Sequence, residues 1–178
     1  PKEFEIIGIY NSSTDIGKFV EEKKLDNVTL HKCDLTNKQE VEELFRKIGN
    51  NFDQCIFLAG NVDVPLSKTE PLIDIEITVG SLINVLQNCN INRFIYMSTA
   101  GVYDGIKGPV TADSKLNPIV PYCVSKLMAE QYVKYYHSIG KLNQYVILRF
   151  GGAFGLYSKQ SKFMTKLVND IFIEDNNE

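Results

Sequence analysis

The stretch RFIYMST, residues 93–99, indicates the fold of this chain. It is a nearly continuous apolar run that ends in two hydroxyl residues, Ser98 and Thr99. Such runs are typical of strands that are buried on both faces of a parallel sheet. The carboxyl ends of parallel strands form the edge at which open α/β folds bind ligands. The sequence therefore predicts a buried strand that brings Thr99 to a ligand site.

Four further runs rich in Ile, Val, Phe and Tyr also predict strands: FEIIGIY (4–10), NVTLHKC (27–33), QCIFLAG (54–60) and YVILRFG (145–151). Helical patterns lie between the runs, in residues 13–25, 36–49, 71–90 and 121–140. The third of these places Ile75, Val79, Leu82 and Leu86 at helical spacing. Strand and helix alternate, so we expect one α/β domain over residues 1–178. Its sheet should be doubly wound, mostly parallel and Rossmann-like, in three layers.

Composition excludes several classes of protein. A net charge of −3 argues against a nucleic-acid surface, which needs clustered Lys and Arg. No apolar run is long enough to span a bilayer and no signal peptide is visible, so we expect a cytoplasmic protein. The 4 Cys are widely spaced and the chain has 2 His. That favours reduced, mostly buried thiols and no metal site.

Two stretches place a Tyr four residues before a Lys: YDGIK (103–107) and YCVSK (122–126). With 9 Tyr in 178 residues, about one such pair is expected by chance. The first contains Gly105 and is followed by Gly108-Pro109, which predicts a loop. The second begins a long helix, on which side chains at i and i+4 share a face. Helix geometry thus favours Tyr122 and Lys126.

The chemistry that this pair could perform is proton transfer. A phenol with a pKa near 10 is a poor base at neutral pH, and a nearby ammonium favours the phenolate. We therefore expect Lys126 to lower the pKa of Tyr122, so that Tyr122 can exchange a proton while a hydride is moved. The plain alternative is an interfacial Tyr beside a solvated Lys. Thr99 favours the catalytic interpretation, because its hydroxyl could bind the same substrate oxygen.

At this point the chain resembles the extended short-chain dehydrogenase/reductases, which act on nucleotide sugars. Six stretches match that family's motifs in family order: KCDLTN, FDQCIFLAG, ITVGSLINVLQ, RFIYMSTAGVYD, PYCVSKLMAEQY and YVILRFGGAFG. The resemblance implies Tyr122 as the acid/base, Lys126 as the group that lowers its pKa and binds the nicotinamide ribose, and Thr99 as the hydrogen-bond partner of the reacting sugar oxygen. The cofactor-binding residues that it implies are Asn11, Asp34, Leu35, Leu58, Ala59, Gly60, Thr78, Tyr122 and Lys126.

The chain departs from the family pattern at several positions. The family's Gly-x-x-Gly-x-x-Gly turn has no counterpart, so we expect an internal fragment of a longer protein. Tyr10 replaces the Asp that commonly ends the second strand, which leaves NAD and NADP both open. Thr78 and Gly152 stand where the family often has Asn, and Asp104 where it often has Gly. Ala100-Gly101 replaces the acidic residues of the sugar dehydratases.

The resemblance therefore implies an NAD(P)-dependent nucleotide-sugar epimerase or reductase, with a nucleotide-sugar substrate and a homodimer in the complete protein. A second hypothesis is a catalytically silent dinucleotide-fold protein that senses or scaffolds. Tyr10, Gly152 and the missing glycine turn favour it, whereas Thr99, Tyr122 and Lys126 oppose it.

Overall fold

The structure, a computed structural model, describes residues 3–12, 15–152 and 167. In chain order its elements are β1 (Ile6–Tyr10), α1 (Asp15–Glu22), β2 (Val28–Lys32), α2 (Lys38–Ile48), β3 (Asn51–Phe57), α3 (Val64–Thr69), α4 (Pro71–Ile75), a π-helical turn (Glu76–Gly80), α5 (Ser81–Asn88), β4 (Asn90–Thr99), a 3₁₀ turn (Ala100–Tyr103), α6 (Pro121–Ser138) and β5 (Leu142–Phe150). Strands and helices alternate as predicted.

All strand pairs are parallel. β1 pairs with β2, and β3, β4 and β5 form a second sheet with β4 in the middle. Phe57 lies opposite Tyr96, and Thr99 lies opposite Phe150. The carboxyl ends of β3, β4 and β5 therefore share one edge. This is the Rossmann-like α/β arrangement predicted from the sequence.

Two helices show why these segments are helical. Asn37 caps α2, its side chain accepting hydrogen bonds from the backbone N–H groups of Gln39 and Glu40, and Gly49 ends the helix with φ +91°. Pro121 occupies the first turn of α6, where a missing N–H costs nothing. Gly140 follows that helix with φ +80°. The predicted ends of both helices are confirmed.

The predicted helix over residues 71–90 has an irregular middle. A π-helical turn, Glu76–Gly80, separates α4 from α5, and the N–H of Ser81 bonds the carbonyl of Glu76. Val79, Leu82 and Leu86 are buried, as predicted, and Ile75 is partly buried. Asp74 and Thr78 are also buried. The helix thus buries polar side chains as well as an apolar face.

The core lies around β4. Phe94 and Tyr96 are fully buried, and the ring of Phe57 packs at 5.9 and 6.2 Å from their centroids. The prediction that the strands are buried on both faces is wrong for the outer strands. In the described part of the chain, Ile56 and Leu58 at the end of β3 are 60% and 67% exposed.

The strand starts also differ from the prediction. β3, β4 and β5 begin at Asn51, Asn90 and Leu142, ahead of the apolar runs. Parallel pairing needs only backbone groups, and Asn51 pairs opposite Asn90 with its side chain accepting a 3.1 Å hydrogen bond from the Asn90 amide. Short helix α3 was not predicted. Asp63 caps it, accepting from the N–H of Leu66.

The four cysteines are free, and three are buried (Cys33, Cys89 and Cys123), as predicted. Burial raises the pKa of Cys55 and of Cys89 to about 12, which keeps both thiols protonated at neutral pH. None of the described helices combines the length and the apolarity needed to cross a membrane. Residues 13 and 14, which open the first predicted helix, and the residues of the last motif after Gly152 lie outside the described residues.

Candidate active site

The site is built at the carboxyl end of β4. Thr99 is the last residue of the strand, half-buried, and its Oγ1 accepts a 3.1 Å hydrogen bond from the N–H of Gly101. That bond caps the 3₁₀ turn that follows. A side-chain Cβ at Gly101 would overlap Cys123 Sγ and approach Thr99 Oγ1 to 3.4 Å. Thr99 therefore lies next to the first turn of α6, as the sequence predicts.

Tyr122 and Lys126 lie on one face of α6. Lys126 is 5% exposed, and its Nζ stands 5.9 Å from the ring centroid of Tyr122 and 5.4 Å from that of Tyr96. The ammonium donates a 3.3 Å hydrogen bond to the carbonyl of Met97. Tyr122 is half-buried. Of the two Tyr–Lys pairs, this one has the fixed geometry.

The other pair is divided between two environments. Tyr103 ends the 3₁₀ turn, is 9% exposed and donates a 3.2 Å hydrogen bond to the carbonyl of Ala112. Lys107 is exposed. Tyr103 packs under the guanidinium of Arg149, 5.1 Å from ring centroid to Cζ. It therefore has a structural role away from Lys107.

The residues after β3 come close to Lys126. Gly60 has φ +141°, and a Cβ there would lie 3.0 Å from Lys126 Nζ and 3.7 Å from Thr78 Oγ1. Because most L side chains avoid that backbone conformation, both space and torsion favour glycine. Thr78 is fully buried and accepts a 3.1 Å hydrogen bond from the N–H of Asn61. The structure thus gathers Gly60, Thr78 and Lys126, with Ala59 preceding them.

The predicted lowering of the Tyr122 pKa is not found in this structure. The pKa of Tyr122 is raised, first by burial and then by repulsion from Cys123 and Asp74. Burial also lowers the pKa of Lys126, which Asp74 partly opposes. The ammonium faces the Tyr122 ring in a setting that disfavours both charged forms. Desolvation here outweighs the attraction expected from spacing alone.

The remaining predicted cofactor residues lie elsewhere. Asp34 uses its carboxylate in its own turn, accepting hydrogen bonds of 2.9 and 2.8 Å from the backbone N–H and hydroxyl of Thr36. The carbonyl of Leu35 accepts a 2.9 Å bond from Asn84 on α5, which ties this turn to the second sheet. Asn11 follows β1 and is exposed, and Leu58 is 67% exposed.

Sequence reasoning missed a buried carboxylate, Asp74, beneath this site. It accepts hydrogen bonds from the Ser125 hydroxyl and, at 2.7 Å, from the Asn61 side-chain amide. Ser125 precedes Lys126 and Asn61 follows Gly60. An acidic residue four positions before Thr78 on an apolar helix was the available signal, since side chains at that spacing share a face.

A second missed carboxylate, Glu130, belongs to α6 itself. It is fully buried and accepts two hydrogen bonds from Arg149, of 3.1 and 2.8 Å, and one of 2.6 Å from Ser98. Arg149 also bonds the hydroxyl of Tyr103. The signals were present: Glu130 falls one turn after Lys126, and an Arg interrupts the apolar run of β5. The network joins β4, α6 and β5 beside Thr99.

Comparisons with known proteins identify the family of the chain. The sequence model of a protein family, described as the NAD dependent epimerase/dehydratase family, matches residues 2–174. A putative UDP-glucose 4-epimerase of Methanocaldococcus jannaschii is 29% identical over 145 residues, which cover 74% of this chain and 47% of that protein. The chain thus spans less than half of that relative's length.

Solved structures show the same fold. The UDP-N-acetylglucosamine 4-epimerase of Methanobrevibacter ruminantium superposes with a TM-score of 0.80 over 96% of this chain and 56% of its own, at 24% identity. The UDP-glucose 4-epimerase of Bifidobacterium longum, solved with NAD+ and UDP, superposes with a TM-score of 0.73 over 83% of this chain and 46% of its own, at 26% identity. Both resemble the chain across its parallel sheet and flanking helices.

Proposed function

Because the chain belongs to the NAD-dependent epimerase/dehydratase family, we propose that it is the dinucleotide-fold part of a nucleotide-sugar 4-epimerase that uses NAD. The observation that carries this proposal is the placement of Thr99, at the end of β4, beside the first turn of α6, the helix on which Tyr122 and Lys126 share a face. Similarity to proteins named as UDP-glucose 4-epimerases supports it. Ala100-Gly101, where the dehydratases carry acids, favours epimerisation over elimination.

The residues around Lys126 fit a cofactor ribose. An ammonium has three N–H donors, and the carbonyl of Met97 takes one of those of Lys126. Hydroxyl groups of a ribose could accept the others. Gly60 leaves open the space that a Cβ would fill 3.0 Å from Nζ. Bound NAD would supply the acceptor for the hydride removed from the sugar carbon.

Tyr122 would exchange the proton of the sugar hydroxyl at that carbon. Burial raises the pKa of Tyr122, whereas the Lys126 ammonium favours the phenolate, so the balance sets the pH at which Tyr122 accepts a proton. Thr99 Oγ1 already accepts from Gly101, so its own O–H remains available to donate to the sugar oxygen. Together the two hydroxyls hold the reacting oxygen and move its proton.

Replacing Tyr122 by Phe in the complete gene product tests this proposal. We expect kcat on UDP-glucose or UDP-N-acetylglucosamine to fall at least about a hundredfold, the usual size of a general acid–base contribution. Tyr135→Phe is the matched control, because Tyr135 lies on the same helix and is 53% exposed. Near-normal turnover in Tyr122→Phe would contradict the assignment. Cofactor binding without turnover of any nucleotide sugar by the unsubstituted protein would favour the sensor hypothesis instead.

The homodimer stays a prediction. On α6 and at its C-cap, the apolar side chains of Val124, Tyr135 and Ile139 are 44%, 53% and 52% exposed. Exposed apolar area of this kind suits a subunit contact. Light scattering on the complete gene product would measure its mass and decide between a monomer and a dimer.

A further inference from the structure

Two opposite charges are buried at the candidate site without an ion pair. Asp74 is 0% exposed and Lys126 is 5% exposed. Within residues 3–12, 15–152 and 167, the ion pairs are Lys38–Glu42 and Arg149–Glu130, so neither buried group has a partner within 4.0 Å. Burying an unpaired charge costs several kcal/mol. Charges in this position are retained where another property depends on them.

The hydrogen bonds of Asp74 connect it to both sides of Lys126. Through Ser125 it holds the α6 residue immediately before Lys126. Through Asn61, at 2.7 Å, it holds the residue immediately after Gly60, the position at which a Cβ would lie 3.0 Å from Lys126 Nζ. Asn61 in turn donates from its backbone N–H to Thr78. One carboxylate therefore fixes the helix and the loop that frame the ammonium.

The charged and titratable surroundings of Lys126 single out Asp74. Glu130 of α6 is neutralised by Arg149 of β5. Lys68 of α3, Glu76 of the π turn and Asp104 after the 3₁₀ turn are exposed to solvent. The remaining groups near the ammonium are uncharged at neutral pH, namely Tyr96 of β4 and Tyr122 and Cys123 of α6.

We propose that Asp74 is a positioning residue of the 4-epimerase site, which holds Ser125 and Asn61 in place and supplies the buried counter-charge of Lys126. This inference rests on the proposed function for its catalytic consequence, but its electrostatic part concerns the protein alone. Asp74 contacts neither substrate nor cofactor in this scheme. It acts through Lys126.

The sign of the expected change follows from the two influences on Lys126. Burial lowers its pKa from 10.5, and the carboxylate of Asp74 raises it. Without that carboxylate the ammonium loses its proton at lower pH. A neutral amine no longer favours the Tyr122 phenolate, and this loss opposes the relief of the repulsion from Asp74, the smallest of the three influences on the pKa of Tyr122. Activity should therefore be lost at the alkaline side first, and lowering the pH should restore it.

The test compares Asp74→Asn with Asp63→Asn in the complete gene product. Asn has the shape of Asp and can still bond Asn61 and Ser125, so the first variant removes mainly charge. Asp63 is exposed and caps α3, a role that Asn also performs, and it bonds the Asn61 side chain through backbone groups only, so the second makes the same chemical change without removing a partner of Asn61. Asp74→Ser replaces the first variant if Asp74→Asn does not fold.

The direct measurement is a pH titration of lysine Cε by NMR on protein labelled with ¹³C-lysine. The Lys126 signal is assigned by its loss in Lys126→Met. We expect the midpoint of Lys126 to fall by about one pH unit in Asp74→Asn, as for loss of an opposite charge nearby, and to stay unchanged in Asp63→Asn. Equal midpoints in wild type and Asp74→Asn would overturn the proposal.

The second measurement is kcat against pH. The loss of kcat in Asp74→Asn should be up to about tenfold larger at pH 9 than at pH 6.5, matching a one-unit shift. A purely structural role would lower kcat equally at both pH values, and that result would also overturn the proposal. If the complete protein turns over no nucleotide sugar but the Lys126 midpoint shifts, the proposed function fails while the charge pairing stands.

Discussion

Two carboxylates, Asp74 of α4 and Glu130 of α6, are buried around α6, and their hydrogen-bond partners differ. Glu130 meets a guanidinium that satisfies it with two hydrogen bonds, of 3.1 and 2.8 Å, and Ser98 adds a third. Asp74 meets a hydroxyl and an amide, both neutral. Bidentate arginine pairs are among the strongest and most directional contacts in proteins.

The difference separates a structural cluster from an electrostatic one. The charge of Glu130 is neutralised by the adjacent Arg149, and this cluster joins β4, α6 and β5. Around Asp74 the charge remains available to act on Lys126 across the site. We expect substitutions in the first cluster to reduce mainly stability, and those in the second to reduce mainly activity. The following predictions are ordered by the expected change in the free energy of unfolding.

Glu130→Gln should cause the largest loss, about 3–5 kcal/mol, because it leaves the guanidinium of Arg149 without its counter-ion. Denaturant unfolding of the complete gene product measures it. Glu43→Gln, on the exposed surface of α2, makes the same change and should stay within about 0.5 kcal/mol of wild type. A loss below 1 kcal/mol in Glu130→Gln would remove the distinction between the clusters.

Combining Glu130→Gln with Arg149→Met should recover part of that loss. The double variant removes both charges, so neither is left buried alone. We expect it to be at least about 1 kcal/mol more stable than the sum of the two single changes, a coupling typical of contacting residues. Simple additivity in the double-mutant cycle would show that the pair does not act as a unit.

The two serines give a finer comparison. Ser125→Ala removes one of the two hydrogen bonds of Asp74 and should cost about 2 kcal/mol, as for hydrogen bonds to charged groups. Ser98→Ala leaves Glu130 with both bonds from Arg149, so about 1 kcal/mol is expected. Equilibrium unfolding of both variants measures the difference. A larger loss for Ser98→Ala would reverse the interpretation.

Asp74→Asn should cost as little as Ser98→Ala, about 1 kcal/mol, since its partners are neutral and the amide can still bond them. The same variant is the one expected to lose activity with rising pH. Thermal or denaturant unfolding beside the pH profile of kcat therefore gives a direct contrast with Glu130→Gln. A loss as large as that of Glu130→Gln would place Asp74 in the structural cluster.

How far the sequence predicts this molecule depends on whether a signal is local. The ends of α2 and α6 follow from Asn37, Gly49 and Pro121, because caps and first-turn prolines act within a few residues. Each apolar run is also a local signal, and the alternation of these runs with helical patterns predicts the parallel sheet. The starts of β3, β4 and β5 were missed because backbone pairing continues into Asn-rich segments with no apolar pattern.

The candidate site divides in the same way. Thr99, Tyr122 and Lys126 are predictable from a strand end and a helix face. The pairing of Asp74 with Ser125 and of Arg149 with Glu130 cannot be predicted in this way, because the partners lie 51 and 19 residues apart along the chain. The raised pKa of Tyr122 was also missed, since spacing on a helix carries no information about burial.

The π-helical turn has a consequence for the placement of Asp74. It separates the helix that carries Asp74 from α5, which packs in the core. A π turn holds one residue more than an α-helical turn, so if the same residues took α-helical hydrogen bonds, α4 would rotate by up to about 100° relative to α5. Asp74 would then leave Ser125 and Asn61 although no contacting residue had been changed. The position of the counter-charge of Lys126 thus depends on the hydrogen-bond pattern of that turn as well as on the residues that bond Asp74.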